Sequence, residues 1–140
     1  MKSFILSITA LFIAFIVLSA QEKPQVDWEK YSEQLIKAVG STNKGVQLSA
    51  MRHIIRYGDS LEVVMARYVV MDKFMNDKNQ KVRLLALATL ATIDNPLDIG
   101  LLELHYKWEK DPEVKKMIAK VLVDKGRLSF AKYQKDYAEK

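Results

Sequence analysis

The chain has 140 residues, of which 49% are apolar and 28% are charged, with no cysteine and a formal net charge of +5. This composition is too apolar for a disordered segment and suits one globular domain. The absence of cysteine excludes a disulfide scaffold, a thiolate metal site, a cysteine nucleophile and a lipid-modified N-terminal cysteine. Five glycines and three prolines argue against a turn-rich β-sandwich.

Residues 1–20 have the layout of a secretory signal peptide. Lys2 precedes an apolar run from Phe4 to Leu18, which small residues follow. This run is shorter than the roughly 20 residues that cross a bilayer. We therefore expect cleavage and export to the periplasm or the medium, with an uncleaved anchor that tethers the protein to a membrane as the alternative. Loss of Lys2 would leave 21 basic and 17 acidic residues, a net charge of +4.

The remaining residues have helical periodicity and no alternating strand pattern, which predicts an all-α domain over residues 27–140 after a polar linker at 21–26. Helices are expected over 27–39, over 43–57, from after Asp59-Ser60 to about Met75, from Asn79 to Ile93, from Pro96 through Trp108, from Pro112 to Gly126 and over 128–137. Asn and Asp before a helix are typical caps, proline suits its first position, and glycine its end.

Three segments of the chain share one pattern. They read NKGVQLSA from Asn43, NQKVRLLA from Asn79 and DPEVKKMI from Asp111, and their valines lie 36 and then 32 residues apart. A second helix follows each of them. Periods of this size, with one helix pair in each unit, predict an α-solenoid.

The stretch from Asp77 to Leu122 resembles HEAT repeats. In that family an Asp or Asn cap, a Val-Arg pair, small alanines and a terminal Asp recur in the first helix of each unit. The matching residues are Asp77, Val82, Arg83, Ala86 and Asp94, whereas the outer units depart at Gly45, Gln47, Ser49 and Lys115. The resemblance covers roughly residues 41–126. It implies a short right-handed α–α superhelix of about three helix pairs that serves as a protein-binding scaffold.

A short stack of this kind needs capping helices at both ends. The helix that starts near Trp28 and the stretch Phe130–Tyr137 are the candidates. The fourth helix carries one charged residue, Arg83, between Val82 and Ile93, and is therefore expected at the centre of the core.

The titratable residues give no catalytic or metal-binding pattern. His53 and His105 lie on different predicted helices, and a zinc site needs three or four ligands. Ser49 lies four residues before His53, but no glycine elbow surrounds it. We therefore expect a protein that is not an enzyme and has no catalytic residue, no metal and no cofactor.

Two helices carry more apolar residues than one buried face requires. Their main stripes are Leu61, Val64, Tyr68, Met71 and Met75, and then Leu97, Leu101, Leu104 and Trp108. Each of these helices also carries a second apolar stripe beside its main one. The second stripes either pack against flanking units of a solenoid or line an exposed binding surface. The residues predicted for that surface are Val63, Arg67, Val70, Phe74, Ile99, Leu102 and Tyr106.

The first functional hypothesis is an exported, non-catalytic scaffold that binds another envelope or secreted protein. Arg52 and Arg56 form a secondary basic stripe, which is either a solvated face or a site for an acidic partner. Self-association through the end helices, in a structural envelope protein, is an alternative, and a HEAT-like ligand carrier or lyase is another. Nucleic acid is not expected as a partner, and membrane contact is expected only if the signal segment is uncleaved.

Overall fold

The computed structural model describes residues 25–137, which form seven α-helices. They are α1 (Trp28–Val39), α2 (Lys44–Tyr57), α3 (Arg67–Asn76), α4 (Gln80–Ile93), α5 (Pro96–Tyr106), α6 (Pro112–Asp124) and α7 (Phe130–Tyr137). No strand occurs within this range, and the predicted all-α class is confirmed. None of these helices has the length and apolar character needed to span a membrane. The predicted signal segment at 1–20 lies outside the described residues.

Side-chain caps begin five helices at the residues that the sequence indicates. Asp27, Asn43, Asn79, Asn95 and Asp111 each accept a hydrogen bond from a backbone N–H two or three residues further on. These bonds satisfy donors that the first turn of a helix leaves without a partner. The local sequence therefore determines where these five helices begin.

The end of α6 follows the sequence as well. Gly126 has φ 69°, a left-handed conformation that glycine adopts without steric cost. Its N–H donates to the carbonyl of Val123, and the N–H of Arg127 donates to the carbonyl of Leu122. Those two bonds are a Schellman motif, and they turn the chain sharply toward α7.

The start of α3 and the end of α5 differ from the prediction. Asp59 and Ser60 lie in a single 3₁₀ turn, and α3 begins at Arg67 after a second 3₁₀ turn at Val64–Ala66. The intervening segment is held by α1, because the Glu62 N–H donates to the Ser32 hydroxyl at 3.0 Å. At the other helix, α5 ends at Tyr106, so Trp108 lies in the following turn.

Helix α4 lies at the centre of the fold. It packs against α2, α3 and α6. Its buried side chains are Val82, Ala86, Leu87, Thr89 and Leu90. At Gly58 the end of α2 approaches α4 so closely that a Cβ atom there would lie 2.3 Å from Thr92 Cγ2. The predicted central position of this helix is confirmed.

Contacts between successive helix pairs recur at one sequence offset. Five contacts join residues that are 31 positions apart: Arg67 with Asp98, Phe74 with His105, Gln80 with Asp111, Asp94 with Lys125, and Tyr106 with Tyr137. The first of them links the starts of α3 and α5, and the second links their ends. Helices α3 and α5 therefore run in the same direction and are joined by side-chain contacts near both ends. A constant offset favours the predicted solenoid, whose neighbouring units are equivalent.

We predict that Leu90→Glu unfolds the protein, whereas Leu97→Glu leaves it folded. Leu90 is fully buried, and an unpaired charge there costs several kcal/mol against a total stability of about 5–15 kcal/mol. Leu97 is 68% exposed in the first turn of α5, where a negative charge is favourable. Thermal melts followed by circular dichroism test both variants. A Leu90→Glu melt close to that of the unmodified protein would contradict the assignment of α4 to the core.

Candidate protein-binding surface

Most of the predicted binding residues lie in the core. Val63, Val70, Phe74, Ile99 and Leu102 are at most 4% exposed, and only Arg67 and Tyr106 of the seven are partly exposed. The five buried residues cannot touch a partner in this structure, so the prediction of an exposed surface there is wrong. The reason is that the second stripes of α3 and α5 join the core cluster, which leaves the main stripes outside.

The exposed apolar surface is formed by the main stripes instead. Six of its large side chains have exposed fractions from 46% to 79%. We call this surface the outer apolar patch and define it as Tyr68, Met71, Met75, Leu97, Leu101, Leu104 and Trp108, of which Met71 is half-buried. Single exposed apolar residues are ordinary, but a grouped set marks an interaction surface.

The two rows of the patch lie beside each other. Residues advance about 100° around an α-helix, so Met71 lies about 40° around α3 from Arg67. Leu101 likewise lies about 40° around α5 from His105. Arg67 of α3 contacts α5, and His105 of α5 contacts α3. Met71 and Leu101 therefore lie on the flanks of the two helices that face each other. The remaining members of the patch lie further around the two helices, on the same outer side.

A buried ionic cluster holds the turn that presents Trp108. Arg83 donates from Nε to the carbonyl oxygen of Phe74 at 2.9 Å and pairs with Glu109 through both terminal nitrogens. Glu109 is 7% exposed, lies 2.8 Å from His105 Nε2, and accepts the Asp111 N–H at 2.8 Å. The backbone of the turn at residues 107–110 is thus held on its buried side, and this turn carries Trp108, which is 79% exposed.

The charge state of Glu109 follows from these bonds. Burial raises the pKa of its carboxyl, but hydrogen bonds from Arg83, from the Asp111 N–H and from His105 outweigh burial and lower the pKa to about 2. Glu109 is therefore ionised at neutral pH and forms a charged pair with Arg83.

A second ion pair joins the starts of α3 and α5. Arg67 Nη1 lies 2.9 Å from Asp98 Oδ1, and Asp98 is 1% exposed. Burial raises the pKa of Asp98, and the Arg67 charge opposes that rise. The same guanidinium lies 4.4 Å from the ring centre of Tyr68, an arrangement typical of cation–π attraction. Arg67, which the sequence placed on the binding surface, therefore positions the exposed Tyr68 ring.

The predicted basic stripe is exposed. Arg52 and Arg56 lie on the outer side of α2, and Arg56 stacks 5.5 Å from the Tyr57 ring centre. His53 Nδ1 shares a hydrogen bond with the Tyr31 hydroxyl. Among residues 25–137 no three His, Asp or Glu side chains lie close enough together to hold a metal ion.

Comparisons with protein-family models, with curated proteins and with solved structures find no match to this chain. The resemblance to HEAT repeats therefore stays a prediction.

We predict that Glu109 stabilises the fold above about pH 4.5 and that this contribution is lost as the pH falls toward 2. Because folding lowers the pKa from 4.5 to about 2, acid protonates the unfolded state first. The contribution is on the order of 3 kcal/mol, at about 1.4 kcal/mol per pKa unit.

Urea unfolding between pH 2 and 7 tests this contribution. Glu109→Gln leaves Arg83 without its charged partner. It should lower the free energy of unfolding by about 3–5 kcal/mol at pH 7. Below pH 4.5 the stability of this variant should fall less steeply than that of the unmodified protein. Glu33→Gln, at an exposed position of α1, is the control and should match the unmodified protein within about 0.5 kcal/mol. Equal loss of stability in acid for the unmodified protein and Glu109→Gln would exclude the role of Glu109.

Proposed function

We propose that this protein is an exported, non-catalytic binding module that holds another envelope or secreted protein against the outer apolar patch. One observation carries the proposal: two parallel helices expose a grouped set of large apolar side chains on one side, while their second stripes join the buried core cluster. Export rests on the signal-like layout of residues 1–20, and the scaffold role on the resemblance to HEAT repeats.

The patch has the composition of an interface centre. Tryptophan and tyrosine are enriched among residues that dominate binding energy, and methionine is enriched at interfaces. The Tyr68 ring is held by Arg67, and the backbone at Trp108 is held by the turn next to Glu109, so little backbone freedom is lost there when a partner binds. The two adjacent rows of the patch suit the apolar face of a helix or an extended segment of the partner.

We predict that Leu101→Glu with Leu104→Glu abolishes partner capture without unfolding the protein. Both residues are at least half exposed, and two charges placed in the patch oppose apolar burial. Capture should fall at least tenfold, which corresponds to about 1.4 kcal/mol or more. The measurement is cross-linking and affinity capture of the tagged protein from its native envelope, followed by mass spectrometry.

Val46→Glu is the matched control for this experiment. Val46 is 44% exposed but lies on α2, away from the patch, and should capture the partner as the unmodified protein does. Circular dichroism melts confirm that all variants are folded. If the patch variant retains the partner, or if Val46→Glu loses it equally, the assignment of the patch fails. A captured chain that begins near Gln21 would support export.

Self-association through the C-terminal end is a second candidate function. Helix α7 has no buried residue, and Phe130 is 60% exposed and stacks on the Tyr133 ring at 6.5 Å. The open end of a repeat stack favours assembly unless it is capped by polar residues.

We predict that, if this end mediates assembly, the protein forms dimers or larger species that Phe130→Glu dissociates. Leu104→Glu is the control, since it changes the outer apolar patch and not α7. Sedimentation equilibrium at increasing protein concentration measures both variants. A protein that stays monomeric at high concentration would remove this candidate.

A further inference from the structure

A cleft of about 550 Å³ lies between the end of α5, the first turns of α6, and α7. It is separate from the outer apolar patch, because Tyr106 at its wall lies about 140° around α5 from Leu101. The proposal below therefore does not depend on the proposed function.

The walls of the cleft carry an excess of positive charge. Four lysines line it, Lys107, Lys115, Lys132 and Lys135, against one carboxylate, Asp136. Lys132 Nζ pairs with Asp136 at 3.2 Å. Within the part of the chain that the structure describes, the other three lysines form no ion pair, and like charges around one concave surface repel one another. A bound anion would relieve that repulsion.

Two tyrosine hydroxyls supply directional donors to the same cleft. The hydroxyl oxygens of Tyr106 and Tyr137 lie 3.1 Å apart, so one hydroxyl donates to the other. The accepting hydroxyl keeps its own proton, which it can donate to a ligand oxygen. Burial raises the pKa of Tyr137, and the hydrogen bond with Tyr106 raises it further, so this phenol stays protonated and able to donate at neutral pH.

We propose that this cleft binds an anion of the phosphate class with two or more negative charges, such as a phosphate ester or a pyrophosphate group. Lysines act as point charges around such a group, and a phenolic hydroxyl donates to one of its oxygens. None of the lining residues is arginine, so the cations of this cleft attract an anion as point charges and not by bidentate pairing. Such a group occurs in soluble phosphorylated compounds and in anionic lipid headgroups.

The first experiment titrates pyrophosphate into the full chain by isothermal calorimetry at low salt. Lys115→Gln with Lys135→Gln removes two positive charges from the cleft and should weaken binding at least tenfold. Lys116→Gln with Lys120→Gln removes the same net charge from exposed positions of α6 that do not line the cleft. This control should change binding less than threefold, because only the long-range attraction falls.

The tyrosine pair gives a second, independent test. Tyr137→Phe alone leaves the Tyr106 hydroxyl able to donate to the ligand, so pyrophosphate binding should change little. The double variant Tyr106→Phe, Tyr137→Phe removes both donors and should weaken binding several-fold more than either single variant.

Vesicles of phosphatidic acid, whose headgroup is a phosphate monoester, compared with vesicles of phosphatidylcholine, distinguish the two sources of the phosphate group. Binding of pyrophosphate, or of phosphatidic acid vesicles alone, supports the proposal if Lys115→Gln with Lys135→Gln removes it and the control retains it. The proposal is overturned if neither probe binds, or if the two double variants weaken binding equally. It is also overturned if only an acidic peptide, such as polyglutamate, binds through these lysines.

Discussion

Arg83 extends from the central helix α4 to the place where α3 ends and α5 turns into α6, and the relative positions of these four helices depend on its bonds there. Its Nε satisfies the Phe74 carbonyl, one of the acceptors that the last turn of α3 leaves without a partner. Its terminal nitrogens hold Glu109, which in turn holds the Asp111 N–H beside the cap of α6. Because breaking a buried ion pair leaves an uncompensated charge, this cluster stabilises the observed arrangement of the four helix ends.

The outer apolar patch is a consequence of that constraint. The cluster fixes the turn after α5, so Trp108 points outward next to a buried Glu109. The Arg67–Asp98 pair fixes the opposite ends of α3 and α5, and together the two links hold these helices parallel. Two buried ion pairs thus position a surface that is itself apolar. This division suits a binding surface, because the ionic groups determine geometry while the apolar side chains remain available to a partner.

The sequence predicts the helices better than it predicts their outer faces. Asn79, Asn95 and Asp111 begin helices because capping is a local interaction, and the apolar run of α4 identifies its central position without further information. On α5, however, periodicity yields two apolar stripes of similar strength, and Asp98 lies on the side that is buried. An acidic residue indicates a solvated face unless its partner is known. That partner, Arg67, lies 31 residues away, so only the tertiary structure reveals which stripe is inside. The lone Arg83 in an apolar helix does indicate a buried acid, but not that the acid is Glu109.

Helix α5 therefore carries two different surfaces on two flanks. Leu101 and Leu104 face solvent on the flank next to α3, and Tyr106 borders the lysine-lined cleft next to α6 and α7. Apolar burial at the first depends little on ionic strength, whereas the attraction of an anion to the second weakens as salt screens the lysines. A partner on the patch does not need to displace an anion from the cleft, because the two flanks are about 140° apart around the same helix. One rigid helix, fixed at both ends by buried ion pairs, can thus support an apolar contact and an ionic contact at the same time.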